Sequence, residues 1–322
     1  MYYFIVNPAS ASNHAMSVWE RVKDFLEQEN IPYEVFFSKK QGHVEELMRN
    51  LCDMHINDPS PANIIVLGGD GTFNEAIQGI NDFSKFNIGY IPSGSSNDFA
   101  RALGYSPDPL ESFRKILNCK EPVPYDVGLL EYVTISGEHS RLNADVSNRK
   151  RYFNVSCGIG FDAAICEGAL RSKMKDFLNK IKLGKLIYGL IAIKLVFTDK
   201  LCTVKLILDD NTEVVEEKCR FMVNMNTCYE GGGYKFSPAA LPNDGILDIC
   251  TVGNISPFKL ISMMPAASKG NHTKMKQVHT YRTKACEIKA EIPMWVHTDG
   301  EVYTKSDNIK ISVLEGALRF LQ

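Results

Sequence analysis

The stretch that decides the fold is Ile64-Ile65-Val66-Leu67-Gly68-Gly69-Asp70-Gly71-Thr72, followed by Phe73-Asn74-Glu75-Ala76-Ile77. Its first four residues are a short, apolar, partly β-branched run bounded by turn signals, and predict a buried strand. A helical pattern opens just past the glycines, so the segment reads as strand, tight turn, helix. Backbone N–H groups next to a helix N-terminus form a receptor for phosphate. Glycine lets that backbone approach a ligand that a Cβ would hold off. The lysine of a Walker-type loop is missing. Asp70 instead sits where anionic phosphates would gather, and it repels them unless it binds a cation or takes a proton from an incoming hydroxyl. Both tasks belong to phosphoryl transfer. Taken alone, the loop also reads as an ordinary strand-to-helix turn with Asp70 near the cap.

Two more loops repeat the arrangement. A strand over 2–6 ends at Asn7-Pro8-Ala9-Ser10-Ala11, and Ile88-Gly89-Tyr90-Ile91 runs into Pro92-Ser93-Gly94-Ser95-Ser96-Asn97-Asp98-Phe99-Ala100-Arg101. The spacing of Val18, Val22, Phe25 and Leu26 predicts a helix over 16–29, and a strand over 31–37 and a helix over 44–51 follow. Repeated βα units imply a parallel sheet whose ligands gather at the carboxyl ends of the strands. All three loops lie there, and Ser38, just past the second strand, shares the rim.

Beyond Pro122-Val123-Pro124 the pattern changes to short strands at 127–135, 152–155, 202–208, 219–226, 246–252, 285–290 and 309–313, which argue for an antiparallel sandwich. The expected architecture is α/β. A Rossmann-like nucleotide-binding domain covers 1–125 with a C-terminal return at about 306–322, and a β-rich sandwich covers 126–305. Residues 171–200 form one long helical exception mixing lysines with apolar side chains. Its longest uncharged run, 186–193, is far below the ~20 residues a membrane span needs. It reads as a helix covering a sandwich edge or as an interfacial helix.

A chain of 322 residues with 44% hydrophobic and 23% charged residues has room for two cores. The net charge of −2 gives no support for nucleic acid as a partner. Nine cysteines without a C-x-x-C pair suit a reducing cytoplasm. The chain opens on strand-like residues, so no signal peptide is expected.

Taken in order, the three strand-end loops are similar to those of the diacylglycerol kinase catalytic superfamily of lipid kinases. The resemblance continues through Tyr125-Asp126-Val127-Gly128, Gly231-Gly232-Gly233, Pro238 to Asp248, Gly270-Asn271-His272 and Asp299-Gly300-Glu301. Ala11 stands where the family usually has Gly, and Ser95 where it usually has Thr. The resemblance implies an ATP-dependent lipid kinase using Mg²⁺, with its active site in the cleft between the domains and most naturally diacylglycerol as acceptor. It places the nucleotide on Asn7, Pro8, Ala9, Ser10, Ala11, Ser38, Gly68, Gly69, Asp70, Gly71, Thr72, Asn74, Glu75 and Ser95. It implies a Mg²⁺ site from the carbonyls of Leu241 and Ile246 with the Asp244 side chain, and Asp98 and Asp126 as a relay towards the phosphates.

For the proton, Asp299 and Glu301 lie two apart at a strand end and so share a face. Paired carboxylates push their pKa values apart, which suits one of them to proton transfer. The family places this Asp-Gly-Glu at the lipid hydroxyl. Glu301 is the expected proton acceptor, with Asp299 and Asp70 assisting. His272 lies in a basic loop suited to a phosphate or lipid head group, whereas the other histidines, His297 among them, show no metal or triad spacing. The protein is expected in the cytoplasm, meeting a lipid substrate transiently at the membrane surface. A homodimer is admitted but not selected by any residue. Rival readings are an NAD-kinase-like or other soluble-substrate kinase, and a catalytically silent nucleotide- or lipid-binding regulator.

Overall fold

The computed structural model describes residues 1–11, 14–106, 108–136, 149–172 and 184–322. Two compact units emerge, Met1–Val127 with Glu315–Gln322, and Gly128–Leu314. The division thus falls at 127/128, and the returning segment begins at 315 rather than near 306.

The first unit is a parallel sheet. Strand β1 (Tyr2–Val6) lies between β2 (Tyr33–Phe37) and β3 (Ala62–Gly68), and β3 pairs with β4 (Phe86–Pro92). Arg319–Leu321 pair in parallel with Asn87–Gly89. Strands β1, β3 and β4 are largely buried on both faces and read as apolar runs, whereas β2 at the edge stays partly exposed. On one face, Phe4, Val6, Ile65, Leu67 and Ile91 meet Val18, Trp19, Val22 and Leu26 of α1 (His14–Gln28), and Phe113 and Ile116 of α5 (Pro109–Asn118). Helix α2 is His43–His55. Elsewhere, Phe73 of α3 (Asp70–Gln78) stacks on Phe99 of α4 (Asp98–Ala102) at 5.2 Å, and Tyr90 and Phe320 complete that aromatic cluster. This packing carries the carboxyl ends of β1, β3 and β4 to one rim.

The second unit is an antiparallel β-sandwich. Strand β5 (Val123–Tyr132) leads into it and pairs with β6 (Lys150–Phe153). Next come β7 (Ser156–Gly160), α6 (Phe161–Arg171), α7 (Gly184–Thr198), β8 (Cys202–Leu208), β9 (Glu213–Cys219), β10 (Phe221–Met225) and β11 (Leu247–Val252). Helix α8 (Pro257–Ser268), β12 (Val278–Thr283), β13 (Ala285–Thr298) and β14 (Glu301–Leu321) complete it. Pairing runs β12-β11-β10-β7-β13. The first half of β13 pairs with β8 and, past a register shift between Lys289 and Met294, its end pairs with β7.

Strands β7, β9 and β12 and helices α6 and α8 were not expected from the sequence pattern. Of the long helix expected over 171–200, Gly184–Thr198 is helical as α7, whereas Arg171 closes α6 and Ser172 is extended. Residues 173–183 of that stretch, and 137–148 of the expected polar hairpin loop, lie outside the described residues.

Candidate active site

The three loops of the first unit are tied into one rim. Asn7 continues β1 by donating its N–H to the Leu67 carbonyl, and its side-chain amide donates to Thr72 Oγ1 at 2.9 Å. The Asn7 side-chain carbonyl turns back to accept the Ala9 N–H at 3.1 Å, which bends Pro8-Ala9-Ser10 over the sheet. Ser10 Oγ reaches the Ser93 carbonyl at 3.5 Å, and the Ser93 N–H donates to the Gly68 carbonyl at 2.7 Å. Ser38 joins by donating its N–H to the Val6 carbonyl. Gly69 and Gly94 lie back to back, and a Cβ on Gly94 would stand 2.5 Å from the Gly69 Cα. Asn97, at φ 51, fixes the Gly94 peptide from both sides, accepting its N–H at 2.9 Å and donating to its carbonyl at 3.0 Å. Ala11 has a φ of 45, the left-handed region that glycine reaches without penalty. Ser95 is exposed on this rim, Gly71 and Glu75 are half-buried, and Asn74 is buried in α3.

Asp70 and Asp126 are engaged with the backbone, and Asp98 faces an arginine. Asp70 accepts the N–H groups of Asp98 at 2.9 Å and Phe99 at 3.3 Å, and so joins the start of α3 to the start of α4. Asp98 is buried and lies 3.6 Å from the Arg101 guanidinium. Asp126, also buried, accepts the Gly316 N–H at 2.7 Å, tying β5 to the returning segment.

In the second unit, β13 turns into β14 through Asp299 and Gly300, both left-handed at φ 49 and 83. The cost of that φ for Asp299 is offset by three backbone donors. Its carboxylate accepts the N–H groups of Asn154, Val155 and Ser156, each at 2.9 Å, while its own N–H donates to the Ser156 carbonyl. Such charge-assisted bonds are about twice as strong as neutral ones. Glu301 opens β14 opposite Thr298, one residue beyond this clamped turn.

Leu241, Asp244 and Ile246 share one turn. Asp244 Oδ1 accepts the Ile246 N–H at 3.2 Å, and Asp244 Oδ2 faces an Arg282 guanidinium nitrogen at 2.5 Å. Arg282 also lies 3.4 Å from Asp248, whose carboxyl is raised by burial although Arg282 works against that. Hard oxygen donors suit Mg²⁺, but here the guanidinium stands on the carboxylate where a cation would sit. This arrangement does not fit a resident Mg²⁺.

His272 does not serve a phosphate or head group in this arrangement. It is fully buried, with Nε2 on the Phe236 carbonyl at 3.2 Å, and burial lowers its affinity for a proton. Sequence reasoning passed over His297, which is buried against Asp162 and Glu230. No local spacing marks that group, because its members stand far apart in the chain.

A parallel α/β unit with a glycine-tied rim, joined in sequence to an antiparallel sandwich with a clamped Asp-Gly-Glu turn, is the outline of a kinase of the lipid- and NAD-kinase type. Residues 1–130 match the diacylglycerol kinase catalytic domain, and residues 156–322 match the YegS C-terminal NAD kinase beta sandwich-like domain. The chain belongs to the diacylglycerol kinase catalytic superfamily, a family of kinases. It is 27% identical over 303 residues to "Putative lipid kinase YtlR" of Bacillus subtilis (strain 168), covering 94% of this chain and 93% of that protein. It is also 27% identical over 241 residues to a "Diacylglycerol kinase" of Staphylococcus saprophyticus, covering 74% of this chain and 70% of that protein. A solved structure titled "A putative diacylglycerol kinase from Bacillus anthracis str. Sterne" superposes with a TM-score of 0.74 at 22% identity, over 99% of this chain and 96% of that one, and so shares the fold.

Proposed function

We propose that this chain transfers the γ-phosphoryl group of ATP to a lipid hydroxyl, with diacylglycerol as the favoured acceptor. The observation that carries this reading is the contact of Gly69 with Gly94, which leaves a side-chain-free floor between loops at the carboxyl ends of β3 and β4. Phosphates approach bare backbone of this kind closely. ATP arrives as its Mg²⁺ complex, and the ion supplies charge neutralisation at the phosphates. Asn7, Ser10, Thr72 and Ser95 orient the phosphates, and the carboxylates of Asp98 and Asp126 form a relay towards the phosphates and their cation.

In the transfer, the acceptor oxygen forms its bond to Pγ as the bond from Pγ to the β–γ bridging oxygen breaks. The hydroxyl proton passes to Glu301. Asp299 assists by holding the turn that presents Glu301, and Asp70 by holding α4 under the phosphate rim. Among the described residues no helix is long and apolar enough to cross a membrane. The reaction requires an encounter with the lipid at the bilayer surface.

The test is transfer of label from γ-labelled ATP to a panel of dispersed diacylglycerol, monoacylglycerol, sphingoid base and phosphatidylglycerol, with NAD as the soluble alternative. We expect Mg²⁺-dependent label in diacylglycerol. Label in NAD would favour the soluble-substrate kinase. Nucleotide binding without transfer to any acceptor would favour the silent regulator.

A further inference from the structure

His297 is fully buried near the end of β13, directly across from Gly158 of β7. Its Nε2 stands 3.0 Å from Asp162 Oδ2, in the first turn of α6, and 3.2 Å from Glu230 Oε1. Glu230 is placed by Gly231-Gly232-Gly233, all at positive φ, which let residues 230 and 234 close on each other through paired backbone hydrogen bonds of 2.9 Å. Only glycine fits at 158, where a Cβ would lie 1.9 Å from Asp162 Oδ2 and 2.4 Å from His297 Nε2. On the other side of the ring, Nδ1 accepts the Gly300 N–H at 3.1 Å. Gly300 lies between Asp299 and Glu301.

We propose that His297 is a positioning residue for phosphoryl transfer: Asp162 and Glu230 fix its proton on Nε2, and its Nδ1 lone pair holds Gly300 so that the turn presents Glu301 to the acceptor. This rests on the role proposed above for Glu301. The tautomer follows from the geometry. A nitrogen that receives an N–H carries no proton, so the single ring proton lies on Nε2, facing the two acids. Burial lowers the ring's affinity for a second proton, but Asp162, Glu230 and Asp299 outweigh it and push the pKa up to about 9, so the acids alone would favour protonating Nδ1 as well. The Gly300 N–H, aimed at the one nitrogen available for a second proton, resists it.

Two carboxylates and an imidazole also suggest a divalent cation. A cation on Nε2 would drive the ring proton to Nδ1, against the Gly300 N–H, and the turn would lose its tie. The geometry therefore selects the proton over the metal.

The test has a spectroscopic arm and a kinetic arm. In histidine-¹⁵N-labelled protein at neutral pH, we expect Nδ1 of His297 to show the shift of an unprotonated nitrogen and Nε2 that of a protonated one, unmoved by Zn²⁺ or chelator. A protonated Nδ1, or a His297 signal that moves with Zn²⁺, would overturn the proposal. In the kinetic arm, His297→Asn keeps an acceptor where Nδ1 was, whereas His297→Gln keeps a donor towards the acids and loses the acceptor. We expect His297→Gln to lower kcat about tenfold with KM for ATP unchanged, and His297→Asn to stay within about threefold of wild type. If His297→Asn is too unstable to purify, Asp162→Asn added to it supplies a donor to Glu230, with the same expectation. Equal losses from Asn and Gln would reduce His297 to a core residue. Wild type that phosphorylates no lipid would defeat the functional reading, and the nitrogen spectrum would still decide the tie to Gly300.

Discussion

Asp70 in the first unit and Asp299 in the second each give a carboxylate to backbone N–H groups, but they do so in opposite ways. Asp70 sits in ordinary helical backbone and reaches 28 and 29 residues ahead to two donors, joining two loops that glycines have already brought together. Asp299 is itself in the left-handed region, and three donors 143 to 145 residues back in the chain hold it there. In the first unit, space made by glycine shapes the site and the acid braces it. In the second, the acid sits in the turn itself and holds it together with Gly300 and the His297 ring. The lesson is that these motif aspartates act first on the backbone, and in the proposed function the chemistry falls to what they present: bare amides in one unit, Glu301 in the other.

The sharpest way to break this contrast is Gly94→Ala. The new Cβ would press on the Gly69 Cα at 2.5 Å, a backbone neighbour that cannot swing aside. We expect a loss of about 1–3 kcal/mol in urea unfolding, together with weakened ATP binding by calorimetry. Wild-type values for both would remove glycine spacing from the account. Next comes the pair Asp299→Asn and Asp70→Asn. Replacing the anion weakens three amide bonds in one case and two in the other, so we expect about 2 kcal/mol of destabilisation for Asp299→Asn and about 1 kcal/mol for Asp70→Asn. The reverse order would show that the two braces are misjudged.

The origin of these braces explains what was legible in the sequence. Ile64 to Leu67 announces its strand because a parallel strand buried on both faces is a continuous apolar run. Strand β7, Ser156-Cys157-Gly158-Ile159-Gly160, is equally buried but carries two glycines and a serine, because Asp162 and His297 leave no room for a Cβ at 158. It therefore shows no strand propensity. Strand β9 is masked by Glu213, Glu216, Glu217 and Lys218. Loop motifs signal a site, but not that Asp70 and Asp299 are held by distant amides. His297 is silent for the same reason, since its partner Asp162 is 135 residues away.

Two smaller effects refine the picture. Ala11, with φ 45, occupies a conformation that costs a non-glycine residue about 1 kcal/mol. Ala11→Gly is expected to raise stability by up to that amount, less the entropy glycine gains in the unfolded chain, and a clear loss would contradict the left-handed assignment. The smallest effect is expected for Asp244→Ala. With Arg282 already on that carboxylate, the Mg²⁺ concentration that half-saturates turnover should not change. A marked rise would mean that Arg282 yields to a cation and would restore the ligand set Leu241, Asp244 and Ile246.

The central claim, that the braced turn exists to present Glu301 to a lipid hydroxyl, is tested most directly by Glu301→Gln. Transfer from γ-labelled ATP to bilayer-dispersed diacylglycerol should fall by roughly a thousandfold, the scale of a lost general base, while ATP affinity and thermal midpoint match wild type. Turnover within a few-fold of wild type from a variant that binds ATP normally would contradict the claim.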